Sequence, residues 1–116
     1  MSDCIFCKII EKKIPASIVT ENDDVIVIKD IAPKAPIHYL VIPKIHVESI
    51  NHLQETPEHN KAVSEMFAMI KKLASNLEDP KAFNLVSNNG AEAGQCVFHM
   101  HWHFLSGKNI AAGLQL

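Results

Sequence analysis

The chain has 116 residues, a mass of 12.9 kDa and a formal net charge of −2, with 47% apolar and 21% charged residues. This size fits one domain, which we expect to span residues 1–116, and the composition excludes a disordered chain. The slightly acidic charge argues against a protein that binds nucleic acid by neutralising many phosphates. No apolar stretch approaches the roughly 20 residues of a membrane span, so we expect a cytoplasmic protein with no membrane partner.

The first third of the chain predicts a short helix followed by an antiparallel meander. The apolar spacing from Cys4 to Lys13 indicates a short amphipathic helix that ends before Pro15. Short β-branched segments separated by turn-forming residues then predict three strands, over 17–20, 25–29 and 38–42. The segment 25–28 is apolar on both faces, which predicts an inner strand that is covered on each side.

Residues 57–77 carry the clearest helical pattern of the chain. Thr56 is a suitable N-cap and Pro57 suits the first turn. The apolar residues that recur every three or four positions predict one stripe, formed by Val63, Met66, Phe67, Ile70, Leu73, Ala74 and Leu77. Two further strands are predicted over about 83–87 and 98–105. The fold class that follows is α+β, with an antiparallel sheet of about five strands, one long helix and one short helix.

Three histidines alternate in the last predicted strand, in the sequence Phe98-His-Met-His-Trp-His-Phe-Leu105. Successive side chains of a strand point to opposite faces, so His99, His101 and His103 share one face while the intervening apolar residues face the core. Imidazoles need hydrogen-bond partners and titrate near neutral pH, so three of them are a costly choice for a merely solvated surface. Two functional interpretations stay open at this point: a metal site, or nucleophilic catalysis by imidazole at phosphorus.

The neighbouring residues favour catalysis at phosphorus. Just before the histidines lies a glycine-containing segment that can direct backbone N–H groups at an anion, formed by Gly94, Gln95, Cys96 and Val97. His38 lies at the beginning of another strand, after a turn with two prolines. Asp30 ends the inner strand, where its carboxylate can accept hydrogen bonds from ribose hydroxyls.

Four ordered blocks of the chain resemble the histidine triad (HIT) family, whose motif is His-φ-His-φ-His-φ-φ with φ apolar. The blocks are Cys4-Ile-Phe-Cys-Lys-Ile-Ile10 with Ile14-Pro15, Asp30-Ile-Ala-Pro33, His38-Tyr-Leu-Val-Ile-Pro-Lys44 with His46, and Gly94-Gln-Cys-Val-Phe-His-Met-His-Trp-His-Phe-Leu105. The resemblance extends from Cys4 to Gly107 and is closest to the Hint branch, the nucleoside phosphoramidase type. It implies the HIT-like form of the α+β fold.

The resemblance implies a hydrolase that cleaves purine nucleoside 5′-phosphoramidates, such as AMP-NH2 or AMP-lysine. His101 matches the family's nucleophile, which attacks the α-phosphorus and forms a covalent nucleotidyl-histidine. His103 would stabilise the phosphate oxygens, and His38 and His99 would support the triad. No cofactor is implied for this chemistry.

The resemblance also implies a set of nucleotide-binding residues. Asp30 matches the family's ribose-binding acid, and Asn88 matches an asparagine near the phosphate or ribose. The positions at which the family builds an apolar slot for the base are Ile5, Phe6, Ile9, Ile28 and Ile31. Cys96 is a departure, because many Hint-type members carry serine close to the leaving group and a thiol is a weaker hydrogen-bonding group than a hydroxyl.

The pair Cys4 and Cys7 has the spacing of half a zinc site, although free thiols or a redox pair have the same spacing. The resemblance implies that His46 and His99 complete the site. Two thiolates and two imidazoles would form a closed tetrahedral centre, so that the zinc would have a structural role.

Two other functions compete with the phosphoramidase. One uses the same intermediate on dinucleoside polyphosphates, and the other is a nucleotide-sensing or partner-binding protein with residual catalysis. The resemblance further implies a homodimer, and in relatives the C-terminal tail, here Ala111-Ala-Gly-Leu-Gln-Leu116, can reach the active site of the partner.

Overall fold

The computed structural model describes residues 3–109, which form a five-stranded antiparallel sheet with a helix on each face. The elements in chain order are α1 (Ile5–Ile10), β1 (Ile18–Glu21), β2 (Val25–Lys29), β3 (Ile37–Pro43), α2 (Pro57–Ser75), β4 (Asn84–Val86) and β5 (Trp102–Ser106). The strand order in the sheet is β1-β2-β3-β5-β4. This architecture confirms the predicted α+β class. The C-terminal tail at 111–116 lies outside the described residues.

Strand β2 is covered on both faces, as its unbroken apolar sequence predicts. Val25 and Val27 face α2, in a core that also contains Val41 of β3 and Phe104 of β5. The alternate residues of β2 face α1, in a second apolar cluster formed by Phe6, Ile9, Ile26, Ile28, Leu40 and Ile42. Because strand side chains alternate, one strand stabilises both layers of the fold. None of the helices in the described part of the chain is both long and apolar enough to cross a bilayer.

Helix α2 begins as predicted, but its buried stripe is rotated relative to the prediction. The Thr56 side chain accepts a hydrogen bond from the His59 N–H, and Pro57 occupies the first turn. The buried residues of the helix are Ala62, Met66, Met69, Ile70 and Leu73. Phe67 is exposed and its ring meets Trp102 at 5.7 Å between centroids. The predicted apolar stripe is therefore only partly buried, and Phe67 is a member of it that lies exposed beside Trp102.

Strand β5 is shorter than predicted, because it begins at Trp102 rather than at Phe98. Strand β4 ends at Val86, which pairs with His103, and β3 pairs with β5 only as far as Trp102. Before that point the chain bends, and the Met100 N–H donates to the carbonyl of Val47 at 2.6 Å. Only His103 of the triad therefore lies within the strand.

Replacement of a buried side chain of α2 tests the core between this helix and the sheet. Met66 is 1% exposed, so Met66→Ala should lower the free energy of unfolding by about 2–5 kcal/mol through lost burial and a cavity. Lys71→Ala, at an exposed position of the same helix, should change it by less than about 0.5 kcal/mol. Urea denaturation of both variants checks this, and equal effects would contradict the burial assigned to α2.

Candidate active site

The three triad histidines lie on the side of the sheet that carries α1. His103 of β5 pairs with Leu40 of β3, so their side chains lie on the same side of the sheet. Leu40 belongs to the apolar cluster that faces α1. The Phe6 ring of α1 contacts the rings of His99 and His101 edge-on, with centroids 5.9 and 5.1 Å apart. The shared face that alternation predicts is therefore present, although two of the three histidines precede the strand.

His101 is buried, and a backbone carbonyl determines its tautomer. Its Nδ1 lies 2.8 Å from the carbonyl oxygen of His99. A carbonyl can only accept, so Nδ1 carries the proton and Nε2 of the neutral ring keeps its lone pair. Burial lowers the pKa of His101, against the opposing effects of the His99 carbonyl and the charge of Asp30. The result is an uncharged imidazole with one nitrogen free to act as a nucleophile.

His38 and His103 form a hydrogen-bond chain whose direction is also set by the backbone. The Lys34 N–H donates to His38 Nδ1 at 3.0 Å. In its neutral form His38 therefore carries its proton on Nε2, which lies 2.9 Å from His103 Nδ1. His103 Nδ1 accepts this hydrogen bond, so the proton of the neutral His103 ring lies on Nε2. Side-chain patterns in the sequence could not predict this direction, because the first donor in the series of hydrogen bonds is the backbone N–H of Lys34.

Burial keeps these two histidines uncharged. It lowers the pKa of His103 to about 4, with a further contribution from the neighbouring His101 and His38. Burial also lowers the pKa of His38, although the carboxylate of Asp30 opposes this effect.

Asp30 lies next to the His38–His103 pair, a placement that the sequence did not predict. One carboxylate oxygen, Oδ1, accepts a hydrogen bond from the Ala32 N–H at 2.8 Å and holds the turn. The other, Oδ2, lies 3.5 Å from His38 Nε2. The carboxylate therefore has one oxygen bound to the backbone and one directed toward the histidines.

The four predicted metal ligands come together beside the triad. The Nδ1 of His99 lies 3.3 Å from Cys4 Sγ, 3.6 Å from Cys7 Sγ and 3.2 Å from His46 Nδ1. All four ligand atoms lie within 4.8 Å of one another. Burial, followed by the neighbouring Cys4, raises the pKa of the Cys7 thiol to about 11.

The chemistry of this donor set fits zinc. His99 Nε2 lies 2.7 Å from the carbonyl oxygen of Pro43, so Nε2 carries the proton and the lone pair on Nδ1 points at the two thiols. A backbone carbonyl that fixes the tautomer of a ligating histidine is typical of metal sites. Two sulfurs and two imidazole nitrogens are a common zinc donor set.

The loop before the triad is held by hydrogen bonds within itself. The N–H groups of Gly94 and Gln95 donate to carbonyls of their own loop, at 3.0 and 3.1 Å. Gly94 has a φ of +95°, which lets the turn close tightly. The buried Gln95 side chain ties the loop to Glu48 and to its own neighbours. These two residues shape the loop, and their contact with a bound phosphate stays a prediction from the sequence.

The remaining predicted nucleotide-binding residues differ in their burial. Cys96 is exposed, and the half-buried Val97 packs against the α1 cluster. Asn88 is half-buried and follows β4 by two residues. The five predicted base-slot residues do not share one environment. Those in the core are Phe6, Ile9 and Ile28, and those exposed to solvent are Ile5 and Ile31.

The buried neutral histidines predict acid lability. The pKa of His103 is about 4 in the fold against an ordinary value of 6.5, so the unfolded chain binds more protons between these values. Stability should therefore fall as the pH drops from 6.5 toward 4. Urea denaturation across this range should show a shallower decline for His103→Asn than for the wild type. Equal slopes would show that folding does not change the pKa of His103, which would contradict the lowered value.

The comparisons with known proteins agree with this site. Residues 11–110 match the model of the HIT domain. An uncharacterised HIT-like protein of Synechocystis is 43% identical over 106 residues, which are 91% of each chain. Protein HitA of Neisseria gonorrhoeae is 40% identical over 105 residues, 90% of this chain and 96% of HitA. The structure of a HIT family hydrolase from Clostridium thermocellum matches with a TM-score of 0.87 at 38% identity over 96% of both chains. The chain therefore belongs to the histidine triad (HIT) family.

Proposed function

We propose that the protein is a nucleotide-binding hydrolase that cleaves purine nucleoside 5′-phosphoramidates, such as AMP-NH2 or AMP-lysine, through His101. One observation carries the proposal: the His99 carbonyl holds the Nδ1 proton of a buried, neutral His101 and leaves Nε2 free. A solved relative named as a HIT family hydrolase supports the reaction class.

In the first step the Nε2 lone pair of His101 attacks the α-phosphorus. The P–N bond to the leaving group breaks, and the amine departs with a proton from the solvent. The ring of the nucleotidyl-histidine keeps its Nδ1–H, and the His99 carbonyl stabilises the positive charge that develops there. In the second step water attacks the phosphorus and the bond to Nε2 breaks. The mononucleotide leaves with the hydroxyl of that water, and the other proton of the water goes to the solvent.

The neighbouring groups have separate tasks in this mechanism. The proton on His103 Nε2 donates to a phosphate oxygen, because Nδ1 of the same ring is occupied by His38. Asp30 Oδ2 accepts from a ribose hydroxyl. Asn88 binds near the phosphate or the ribose, and the exposed Ile5 and Ile31 lie where a base can contact apolar surface.

Cys4, Cys7, His46 and His99 would hold a zinc ion. The ion would supply a fixed positive charge that keeps both thiolates ionised and ties α1 to the segment before β5. His99 has two roles here, because its ring belongs to the cluster and its carbonyl positions His101. The homodimer and the cytoplasmic location stay predictions from the sequence.

The assignment of the nucleophile is tested with adenosine 5′-phosphoramidate as substrate. His101→Ala should lower the release of AMP and ammonia by at least about a thousandfold, as loss of a nucleophile does in other covalent enzymes. Mass spectrometry of wild-type protein quenched with alkaline denaturant, in which the P–N bond to histidine persists, should show an adenylyl adduct that His101→Ala lacks.

His52→Ala is the matched control, because His52 is an exposed histidine that bonds to Ser49 and Glu48 away from the triad. It should retain wild-type turnover. Diadenosine polyphosphates assayed in parallel separate the two enzymatic functions. A folded wild type that binds AMP and turns over neither substrate would contradict the proposal and favour a nucleotide-sensing protein.

The zinc assignment is tested on protein purified without chelators. The wild type should contain about one zinc per chain, and Cys7→Ser should bind it at least about tenfold more weakly and melt at a lower temperature. Cys96→Ser is the control, because the exposed Cys96 lies outside the ligand cluster and its loss should leave the zinc content unchanged. Wild-type protein without zinc, or Cys7→Ser with full zinc content, would refute the assignment.

A further inference from the structure

One cavity joins the cluster of cysteines and histidines to the loop before the triad. It has a volume of about 570 Å³, and its walls include Cys4 and His46, two of the four proposed zinc ligands. The exposed Cys96 also lines it, together with the apolar side chains of Ile5 and Phe98. Two cysteines that are far apart in the sequence therefore face the same open space.

These two thiols differ in how they are held. Cys4 Sγ lies 3.3 Å from His99 Nδ1 and accepts a hydrogen bond from the Cys7 N–H at 3.3 Å. Cys96 lies outside this cluster, and its Sγ makes a long, weak hydrogen bond to the Gly94 carbonyl at 3.5 Å. The susceptibility of a thiol to oxidation rises with its exposure. Cys96 is therefore the thiol that an oxidant from the solvent meets first.

We propose that Cys96 is a site of reversible oxidation by hydroperoxides such as hydrogen peroxide, and that Cys4 closes a disulfide with it. In the first step the Cys96 sulfur attacks one peroxide oxygen, the O–O bond breaks, and a sulfenic acid and one water form. In the second step the Cys4 sulfur attacks the Cys96 sulfur, the S–O bond breaks, and a second water leaves. The two thiols thereby lose two electrons and two protons, and the peroxide is reduced to two waters.

Cys4 is better placed than Cys7 to attack the oxidised Cys96. Cys4 lines the shared cavity and is the N-cap residue of α1, so its side chain can turn toward Cys96 without unwinding the helix. Cys7 lies within the first turn of α1, and its Sγ faces His46 at 3.3 Å. Cys96 is not among the four residues whose ligand atoms lie within 4.8 Å of one another, so Cys4 must leave that cluster to form the disulfide.

The consequence for zinc and for catalysis rests on the proposed zinc site and the proposed function. A disulfide at Cys4 removes one of the four zinc ligands, so the ion should be released. A bound ion should in turn slow the disulfide, because it holds Cys4 against His99. Release of zinc loosens the link from α1 to His99, whose carbonyl positions His101, so nucleotide turnover should fall with it.

Treatment of reduced, zinc-loaded protein with hydrogen peroxide tests the disulfide without reference to activity. After the remaining thiols are alkylated under denaturing conditions, trypsin should yield fragments 1–8 and 82–108 joined by a disulfide. Fragmentation of the joined peptide should place the bond at Cys4, with Cys7 alkylated. A chromogenic chelator should detect zinc release at the same rate as the disulfide forms, and zinc-free protein should form the disulfide faster.

Cys96→Ser is the informative variant, because it removes the proposed site of oxidation and leaves the four zinc ligands in place. It should release zinc at least about tenfold more slowly than the wild type at the same peroxide concentration. Lys71→Cys added to this variant is the matched control, because it supplies an exposed thiol on α2 instead. This control should not restore the rapid release of zinc.

Three results would overturn the proposal: a disulfide between Cys4 and Cys7 as the main product, equal zinc release by Cys96→Ser and the wild type, or rapid release restored by Lys71→Cys. A dithiol reductant with zinc should restore the phosphoramidase turnover of the oxidised wild type, and a loss that persists would contradict reversible oxidation. Protein that never binds zinc would refute the zinc site, and protein without phosphoramidase activity would refute the proposed function. In both of these cases the joined peptide alone decides whether Cys96 and Cys4 pair.

Discussion

The arrangement of the site depends on the hydrogen bond between the Nδ1–H of His101 and the carbonyl of His99. This bond selects one tautomer of the buried imidazole and leaves the other nitrogen with its lone pair. His99 is itself held, since its Nε2 bonds to the Pro43 carbonyl and its Nδ1 faces two cysteines and a histidine. The proposed nucleophile is therefore attached through one residue to both β3 and α1, two elements far apart in the sequence.

Burial and backbone hydrogen bonds act together on the imidazoles. Burial lowers the pKa of each triad histidine, to about 4 for His99 and His103, and so removes the charged form. Which nitrogen then keeps the proton is decided by backbone groups, namely the carbonyls of Pro43 and His99 and the N–H of Lys34. Three similar side chains thereby hold their protons differently, which suits the separate tasks that we propose for them: metal ligand, nucleophile and hydrogen-bond donor.

Most of the fold could be predicted from the sequence, because its strongest signals are local. The apolar run of β2, the Thr56-Pro57 helix start and the turn-forming residues between strands all correspond to observed elements. The differences arose where a partner element decides the outcome. Strand β5 begins late because β3 pairs with it only as far as Trp102 and β4 only as far as His103, and the stripe of α2 is only partly buried because Phe67 lies exposed. The local pattern of residues predicts neither of these two facts.

The sequence by itself determined the fold class, the shared face of the three histidines, and the cysteine pair with half the spacing of a zinc site. These features depend on the two-residue period of strands and on residue type, which are properties of short segments. Only the tertiary structure decided that the N–H groups of Gly94 and Gln95 donate to carbonyls of their own loop. It alone also decided that the Asp30 carboxylate lies beside His38 and His103. It also decided the tautomer of each histidine. The physical reason is that these outcomes depend on backbone N–H and carbonyl groups. Every residue but proline carries both groups, so the pattern of side chains does not show which of them will meet in the fold.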